Sequence, residues 1–139
     1  MEARRHRRLQ ARTYATGADL VDVHFSEWSI PDHINRPGFE AAVALMAEQP
    51  RTIVETGTSA WGTDSTRLWD GYVAAFGGQF WSVDLSPQPS QRLRGQVSEA
   101  THLIVDDSVH FLRTFAERSG VGRLDVCYLD SWDLDWEDP

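Results

Sequence analysis

Acidic side chains follow four short apolar segments of this sequence, and they are the residues best suited to chemistry. They are Glu55 in Glu55-Thr56-Gly57, Asp84, Asp106 and Asp107 before Ser108, and Asp130. Carboxylates that lie close together repel one another, so we expect a compensating cation or a ligand rich in hydrogen-bond donors. A carboxylate at such a position can also accept hydrogen bonds from ribose hydroxyl groups.

A turn of small and polar residues follows the first of these carboxylates. It covers residues 57–62 and reads Gly-Thr-Ser-Ala-Trp-Gly. The dinucleotide motif Gly-x-Gly-x-x-Gly needs its second glycine so that the backbone can approach a pyrophosphate, and Ser59 stands at that position. The turn and Asp84 together favour a nucleotide-type ligand over an ordinary strand-to-helix turn, whereas Ser59 disfavours a nicotinamide dinucleotide and an oxidoreductase.

Alternating strands and helices must position these residues. The apolar spacing predicts a helix that starts near Asn35 as its cap, has Pro37 in its first turn and ends near Glu48. The predicted strands are residues 52–55, 79–84, 102–105 and 124–129, and the predicted helices between them are residues 65–76, 90–98 and 108–119. This alternation predicts a parallel sheet with right-handed crossovers, in which ligands bind at the carboxyl ends of the strands.

We therefore expect an α/β fold, a Rossmann-like parallel sheet with flanking helices, over residues 36–139. Residues 1–35 are expected to form an N-terminal arm and a cap segment. A chain of 139 residues with 41% hydrophobic residues can bury one core. No apolar run approaches the roughly 20 residues that span a bilayer, which argues against a membrane protein.

The charge distribution bears on possible partners. Residues 1–12 carry a local charge of +4 against a total of −8, which leaves −12 for the rest of the chain. Because this acidic part of the chain repels phosphates, we do not expect it to bind nucleic acids. The single cysteine, Cys127, cannot form an internal disulfide and is consistent with a cytoplasmic location. Its apolar neighbours predict that it is buried in the core.

In combination, these residues resemble the class I S-adenosylmethionine-dependent methyltransferases over about residues 36–137. In that family the first strand ends in an acid-x-Gly motif, the second in an acid that holds the ribose, and the third is followed by a polar residue beside the adenine. The resemblance implies S-adenosylmethionine as cofactor, with contacts from Glu55, Thr56, Gly57, Thr58, Ser59, Asp84, Leu85, Asp107 and Ser108.

Residues 124–132 are similar to the end of the fourth strand in the catechol O-methyltransferase-like metal-dependent O-methyltransferases. The likeness implies that Asp130 binds Mg²⁺ and that Trp132 lines the methyl-transfer pocket. A dication held there lowers the pKa of a substrate hydroxyl, so the implied activity is O-methylation of a small molecule. The family's other metal ligands follow its fifth strand, and Asp133 and Asp135 are either substitutes for them or acidic surface residues.

The family's sheet has seven strands, whereas this sequence ends at Pro139, soon after the fourth. We therefore expect an incomplete seven-stranded fold, either a fragment of a longer methyltransferase or a homodimer that pairs through the open sheet edge. The alternative function is that of a truncated, catalytically inactive module for cofactor binding or interaction.

The N-terminal segment contains a second group of polar residues. The spacing of His24, Asp32 and His33 matches no metal-ligand pattern, so we expect solvated or hydrogen-bonded histidines. Trp28 and Ile30 either cover the cofactor or pack in the core.

Overall fold

Helices and strands alternate through residues 14–59 and 62–130, which the computed structural model describes. The elements are α1 (Gly17–Glu27), α2 (Arg36–Met46), β1 (Arg51–Thr56), α3 (Ser65–Phe76), β2 (Gly78–Asp84), α4 (Pro87–Leu93), β3 (Thr101–Val105), α5 (Ser108–Ser119) and β4 (Val126–Leu129). Within these residues, no helix is long and apolar enough to cross a membrane.

The four strands form a single parallel sheet in the order β3-β2-β1-β4. The predicted α/β fold with a Rossmann-like parallel sheet is confirmed. The chain moves outwards from β1 through β2 to β3 and then returns to place β4 on the other side of β1. The carboxyl ends of β1 and β4 therefore meet where the strand order reverses, which is the usual position of a ligand in such sheets.

Both faces of the sheet are covered. On one face, Ile53 and Phe80 pack in a core with α1, α2 and α3, which includes the fully buried Phe25. On the other face, Val54 and Trp81 pack against α5. Alternate residues of a strand point to opposite faces, so the adjacent apolar residues Ile53-Val54 of β1 and Phe80-Trp81 of β2 each contribute to both cores.

The bounds of α3 and α5 agree with the prediction. Their apolar stripes face the sheet, and each ends at a glycine with positive φ, 93° at Gly77 and 69° at Gly120. Gly78, which follows directly, has φ 102°, and a Cβ there would lie 1.9 Å from the carbonyl oxygen of Arg51. Only glycine therefore fits where β2 begins beside β1.

Three local predictions need correction. Helix α1 lies within residues 1–35, for which the sequence predicted no helix, because acidic and polar residues interrupt its apolar stripe. Thr16 caps it by accepting a hydrogen bond from the Asp19 N–H. Helix α4 covers Pro87–Leu93 rather than residues 90–98, since two prolines are tolerated in its first turn. Asn35 stands at the start of α2, but its side chain makes no capping hydrogen bond.

The predicted burial of Cys127 is also wrong. Strand β4 covers only four residues and pairs with β1 alone, so it forms one end of the described sheet. Cys127 is exposed, and Leu129 on the same face of the strand is 68% exposed. The prediction from the apolar neighbours of Cys127 did not allow for the edge position of β4, where an apolar strand is not covered on both faces.

Candidate functional site

The residues that follow the strands are brought together, as the sequence predicted. Backbone hydrogen bonds continue from strand to strand past the carboxyl ends and hold these residues in one row. They join Gly57 N to Val83 O (2.8 Å), Asp106 N to Asp84 O (3.0 Å) and Asp130 N to Thr56 O (2.9 Å). The row is the candidate site.

Glu55 is the centre of a buried hydrogen-bond network. Its carboxylate accepts hydrogen bonds from the hydroxyls of Ser65, of Thr66 (2.6 Å) and of Ser82 (2.7 Å). Burial raises the pKa of Glu55 to about 7, although the three hydroxyls act in the opposite direction. The network ties β1 to β2 and to the start of α3.

A direct contact between Glu55 and a ligand does not fit this burial. The residue is 0% exposed, and Thr56 is 1% exposed. In this structure both act as positioning residues, because they hold the backbone from which the site is built. The resemblance had implied that they touch the cofactor.

The turn after β1 is fixed by side chains from β2 and α3. Thr58 donates its N–H to Asp84 Oδ2 (3.0 Å), and its hydroxyl lies 2.9 Å from the Ser82 hydroxyl. Ser59 donates its N–H to Thr66 Oγ1 (2.6 Å). Gly57 has a φ of 88° and Ser59 a φ of 53°. Both values lie in the left-handed region, which glycine adopts most readily, and this favours glycine at position 57. The turn is thus pre-organised beside the end of β2.

Asp84 combines a fixed orientation with spare acceptor capacity. Its Oδ2 accepts from Thr58 N and its Oδ1 from Ser86 N (2.8 Å). Each carboxylate oxygen has two lone-pair sites and accepts from one donor among the described residues, so one site on each oxygen is left for a further donor. Leu85 is 76% exposed and offers an apolar surface directly beside this carboxylate.

The residues after β3 have separate tasks. Asp107 caps α5 by accepting from the His110 N–H (2.9 Å), and Ser108 is the first residue of that helix. Asp106 lies against His110 and Arg118, and the hydrogen bonds from these two side chains lower the pKa of Asp106 to about 2. Asp106 therefore stays ionised, and its negative charge is compensated by side chains of the protein.

Protein donors reduce the mutual repulsion expected of the strand-end carboxylates. Glu55, Asp84 and Asp106 each have their own donors, as described above, whereas the charge of Asp130 still raises the pKa of Glu55. Within residues 14–59 and 62–130, no group of three or more histidine, cysteine, aspartate or glutamate side chains is arranged to hold a metal ion. The described residues around Asp130 therefore do not form a Mg²⁺ site by themselves. Trp132, Asp133 and Asp135 lie outside the described residues.

Asp130 nevertheless has a distinctive environment. Partial burial raises its pKa, and a hydrogen bond from Tyr128 lowers it. Burial and the negative charges of Asp130 and Glu55 raise the pKa of Tyr128 to about 12, so the phenol keeps its proton. Sequence reasoning missed Tyr128, and it missed Ser82 as well. A serine inside the apolar run of β2 was the available signal, because a buried hydroxyl needs a partner.

The N-terminal histidines are hydrogen-bonded, as expected. The Nε2 of His24 lies 2.6 Å from Thr63 O, and burial lowers its pKa. The Nδ1 of His33 accepts from Asn35 N (3.1 Å). Trp28 is 43% and Ile30 55% exposed, so neither packs fully in the core. His24 thus attaches α1 to the turn that follows β1.

Comparison with known proteins places the chain in no family. A scan against models of protein families found no match, and a search among curated proteins found none either.

Proposed function

We propose that this chain is an S-adenosylmethionine-dependent methyltransferase domain that methylates an oxygen of a small molecule. The single observation that carries the proposal is the geometry at Asp84, whose carboxylate is fixed by two backbone N–H groups beside the glycine turn and keeps one free acceptor site on each oxygen. A ribose presents two adjacent hydroxyl donors, which match this pair of acceptors.

The remaining contacts follow from the order of the strands. The exposed side chain of Leu85 supplies an apolar surface for one face of the adenine, and Asp107 and Ser108 supply polar atoms at its edge. The backbone from Gly57 to Ser59, held by Thr66 and Asp84, receives the methionine part. When bound, the cofactor supplies an electrophilic methyl group. The protein's task is to orient it.

Asp130 and Trp132 face the reaction centre in this proposal. The carboxylate of Asp130, whose pKa is raised by partial burial, accepts the hydrogen bond of the substrate hydroxyl, orients that oxygen and takes up its proton as the oxygen is methylated. Tyr128 keeps its own proton and lowers the pKa of Asp130, so in this proposal it acts as a donor that positions the carboxylate. A Mg²⁺ ion at Asp130, which the resemblance implies, stays a prediction, because Asp133 and Asp135 lie outside the described residues.

Calorimetry with S-adenosylmethionine, S-adenosylhomocysteine and NAD tests the proposal. We expect the first two to bind and Asp84→Asn to weaken them at least tenfold, because one of the two acceptor oxygens is replaced by an amide donor and the other loses its charge. Asp19→Asn, on the exposed first turn of α1, is the matched control and should leave binding unchanged. Binding of NAD alone, or of none of the three, would refute the proposal.

A second candidate, an interaction module that pairs with another copy of itself, is favoured by the exposed end of the sheet. An apolar groove of about 470 Å³ runs between α2 and β4 and is lined by Phe39, Trp69 and Cys127 among others. Ile34 at its edge is 87% exposed. Among the described strands, β4 pairs on one side only, and a second β4 could pair with the other side.

Sedimentation equilibrium separates this candidate from a monomeric enzyme. We expect the wild type to dimerise at micromolar concentrations and Leu129→Lys to be monomeric, because a lysine on the edge strand places like charges opposite each other. Val109→Lys, at a similarly exposed position on α5, should leave the dimer intact. A wild type that remains monomeric at high concentration would exclude the homodimer.

A further inference from the structure

A surface cavity of about 570 Å³ lies between the end of α1, the start of α3 and the end of α4. Two arginines, Arg67 and Arg92, line it together with Trp28, Asp64, Leu93 and Gln96. The volume is in the range of small-molecule sites. Asp84 and Asp107 do not line it, so it is distinct from the row of strand-end residues, although Ser59 of the turn contributes to its wall.

Arg67 is held in a fixed orientation in this cavity. Its Nε donates to Asp64 Oδ2 (2.8 Å) and its Nη2 to Gln96 Oε1 (2.8 Å). Its Cζ lies 4.1 Å from the centre of the Trp28 ring. Among the described residues, its Nη1 has no hydrogen-bond partner. A guanidinium that is already fixed loses little side-chain entropy when it binds an anion.

Arg92 supplies a second, uncompensated charge. Within the described part of the chain its guanidinium takes part in none of the ion pairs or hydrogen bonds, and only its carbonyl oxygen accepts, from Gln96 Nε2 (2.8 Å). Asp64 offsets one of the two arginines, so the cavity keeps a net positive charge. This charge stands out on a chain with a net charge of −8. Paired guanidinium groups suit a carboxylate or a phosphate.

Apolar surface lies beside these charges. Trp28 is 43% exposed, and Leu93, only 4% exposed, closes another part of the wall. An aromatic ring can stack on such a surface while its anionic group reaches the arginines. We propose that this cavity is a binding site for a small aromatic anion, a carboxylate or a phosphate ester, that contacts Arg92 and Arg67 through its charge and Trp28 through its ring.

The site does not depend on the proposed methyltransferase activity, and its test uses no methyl donor. Phenyl phosphate, benzoate and inorganic phosphate are titrated by calorimetry into the whole chain. We expect the two aromatic anions to bind several-fold more tightly than inorganic phosphate. The ratio of their affinities tells whether the phosphate ester or the carboxylate is preferred.

Substitutions assign the binding to this cavity. Arg92→Gln should weaken phenyl phosphate about tenfold, the loss of one charge-assisted hydrogen bond. Arg94→Gln removes an exposed arginine of the same segment that does not line the cavity, and it should have no effect. Trp28→Leu should weaken phenyl phosphate by a larger factor than inorganic phosphate, because it removes the stacking surface as well as one contact that holds Arg67. The proposal is overturned if the aromatic anions do not bind, or if Arg94→Gln weakens them as much as Arg92→Gln.

Discussion

At the scale of single residues, Glu55 is the most consequential side chain of the described site. Three hydroxyls satisfy its carboxylate, yet complete burial still raises its pKa to about 7 from an ordinary value of 4.5. Between pH 4.5 and pH 7 the carboxyl group of Glu55 therefore binds a proton more tightly in the native state than in the unfolded chain. Stability falls as the pH rises through this window, because the charged form is the costly one to bury.

We predict that Glu55→Gln removes this pH dependence. The shift corresponds to on the order of 3 kcal/mol, so the free energy of unfolding of the wild type should fall by up to that amount, relative to the variant, between about pH 4.5 and pH 7. Urea unfolding at a series of pH values measures both proteins.

The comparison with the variant isolates Glu55 from the other titrating groups. His24 has the opposite effect, since its lowered pKa makes stability fall as the pH drops below 6.5, but both proteins contain it. Glu99→Gln at an exposed position should retain the wild-type profile. Parallel profiles for wild type and Glu55→Gln would contradict the raised pKa.

At the scale of elements, the passage from α3 into β2 shows how backbone geometry places the site. Gly77 ends the helix by donating its N–H to Val73 O, and Gly78 begins the strand in contact with the backbone of Arg51. This close approach sets the register of β2 against β1. The register in turn brings Ser82 opposite Glu55 and carries Asp84 beyond the end of β1.

Gly78→Ala should be strongly destabilising. A Cβ would lie 1.9 Å from Arg51 O, and φ is 102°, so we expect a loss on the order of 3–5 kcal/mol in urea unfolding. Gly95→Ala is the matched control, because φ there is also positive, at 78°, but nothing lies within 4 Å of the added Cβ. It should cost only about 1 kcal/mol. Equal losses for the two variants would show that the close contact is unimportant.

The sequence predicted these elements unevenly, for physical reasons. The bounds of α3 and α5 were predictable, because an apolar stripe and a terminal glycine are local signals. Helix α1 was not predictable in this way, because its stability comes from the packing of Leu20 and Phe25 against the rest of the core. The strand-end carboxylates were predicted as a group. The hydroxyls that satisfy Glu55 come from two other elements, α3 and β2, and follow only from the packing of these elements.

At the scale of the whole molecule, one sheet serves two cores. Neighbouring residues of β1 alternate between them, Ile53 towards α1, α2 and α3 and Val54 towards α5. Both cores pack on the same strands, so unfolding either core exposes strand residues on which the other core packs. The described domain should therefore unfold as one cooperative unit.

We predict that Phe111→Ala and Phe25→Ala, one in each core, both lower the stability of the whole domain by about 3–5 kcal/mol. Far-ultraviolet circular dichroism and tryptophan fluorescence should report the same midpoint in each variant. Val109→Ala, whose side chain is 55% exposed, should change stability by less than about 0.5 kcal/mol. Separate transitions for the two probes would mean that the two cores unfold independently.

The sequence by itself determined the α/β class, the parallel sheet and the gathering of acidic residues at the strand ends. These features follow from local periodicity and from the rule that parallel strands present their carboxyl ends at one edge. The tertiary structure decided which of these acids is free to meet a ligand. Glu55 is buried, Asp106 is paired with Arg118, and Asp84 has acceptor sites that no other described residue uses. Burial and pairing depend on which distant residues come into contact, and local sequence does not encode that.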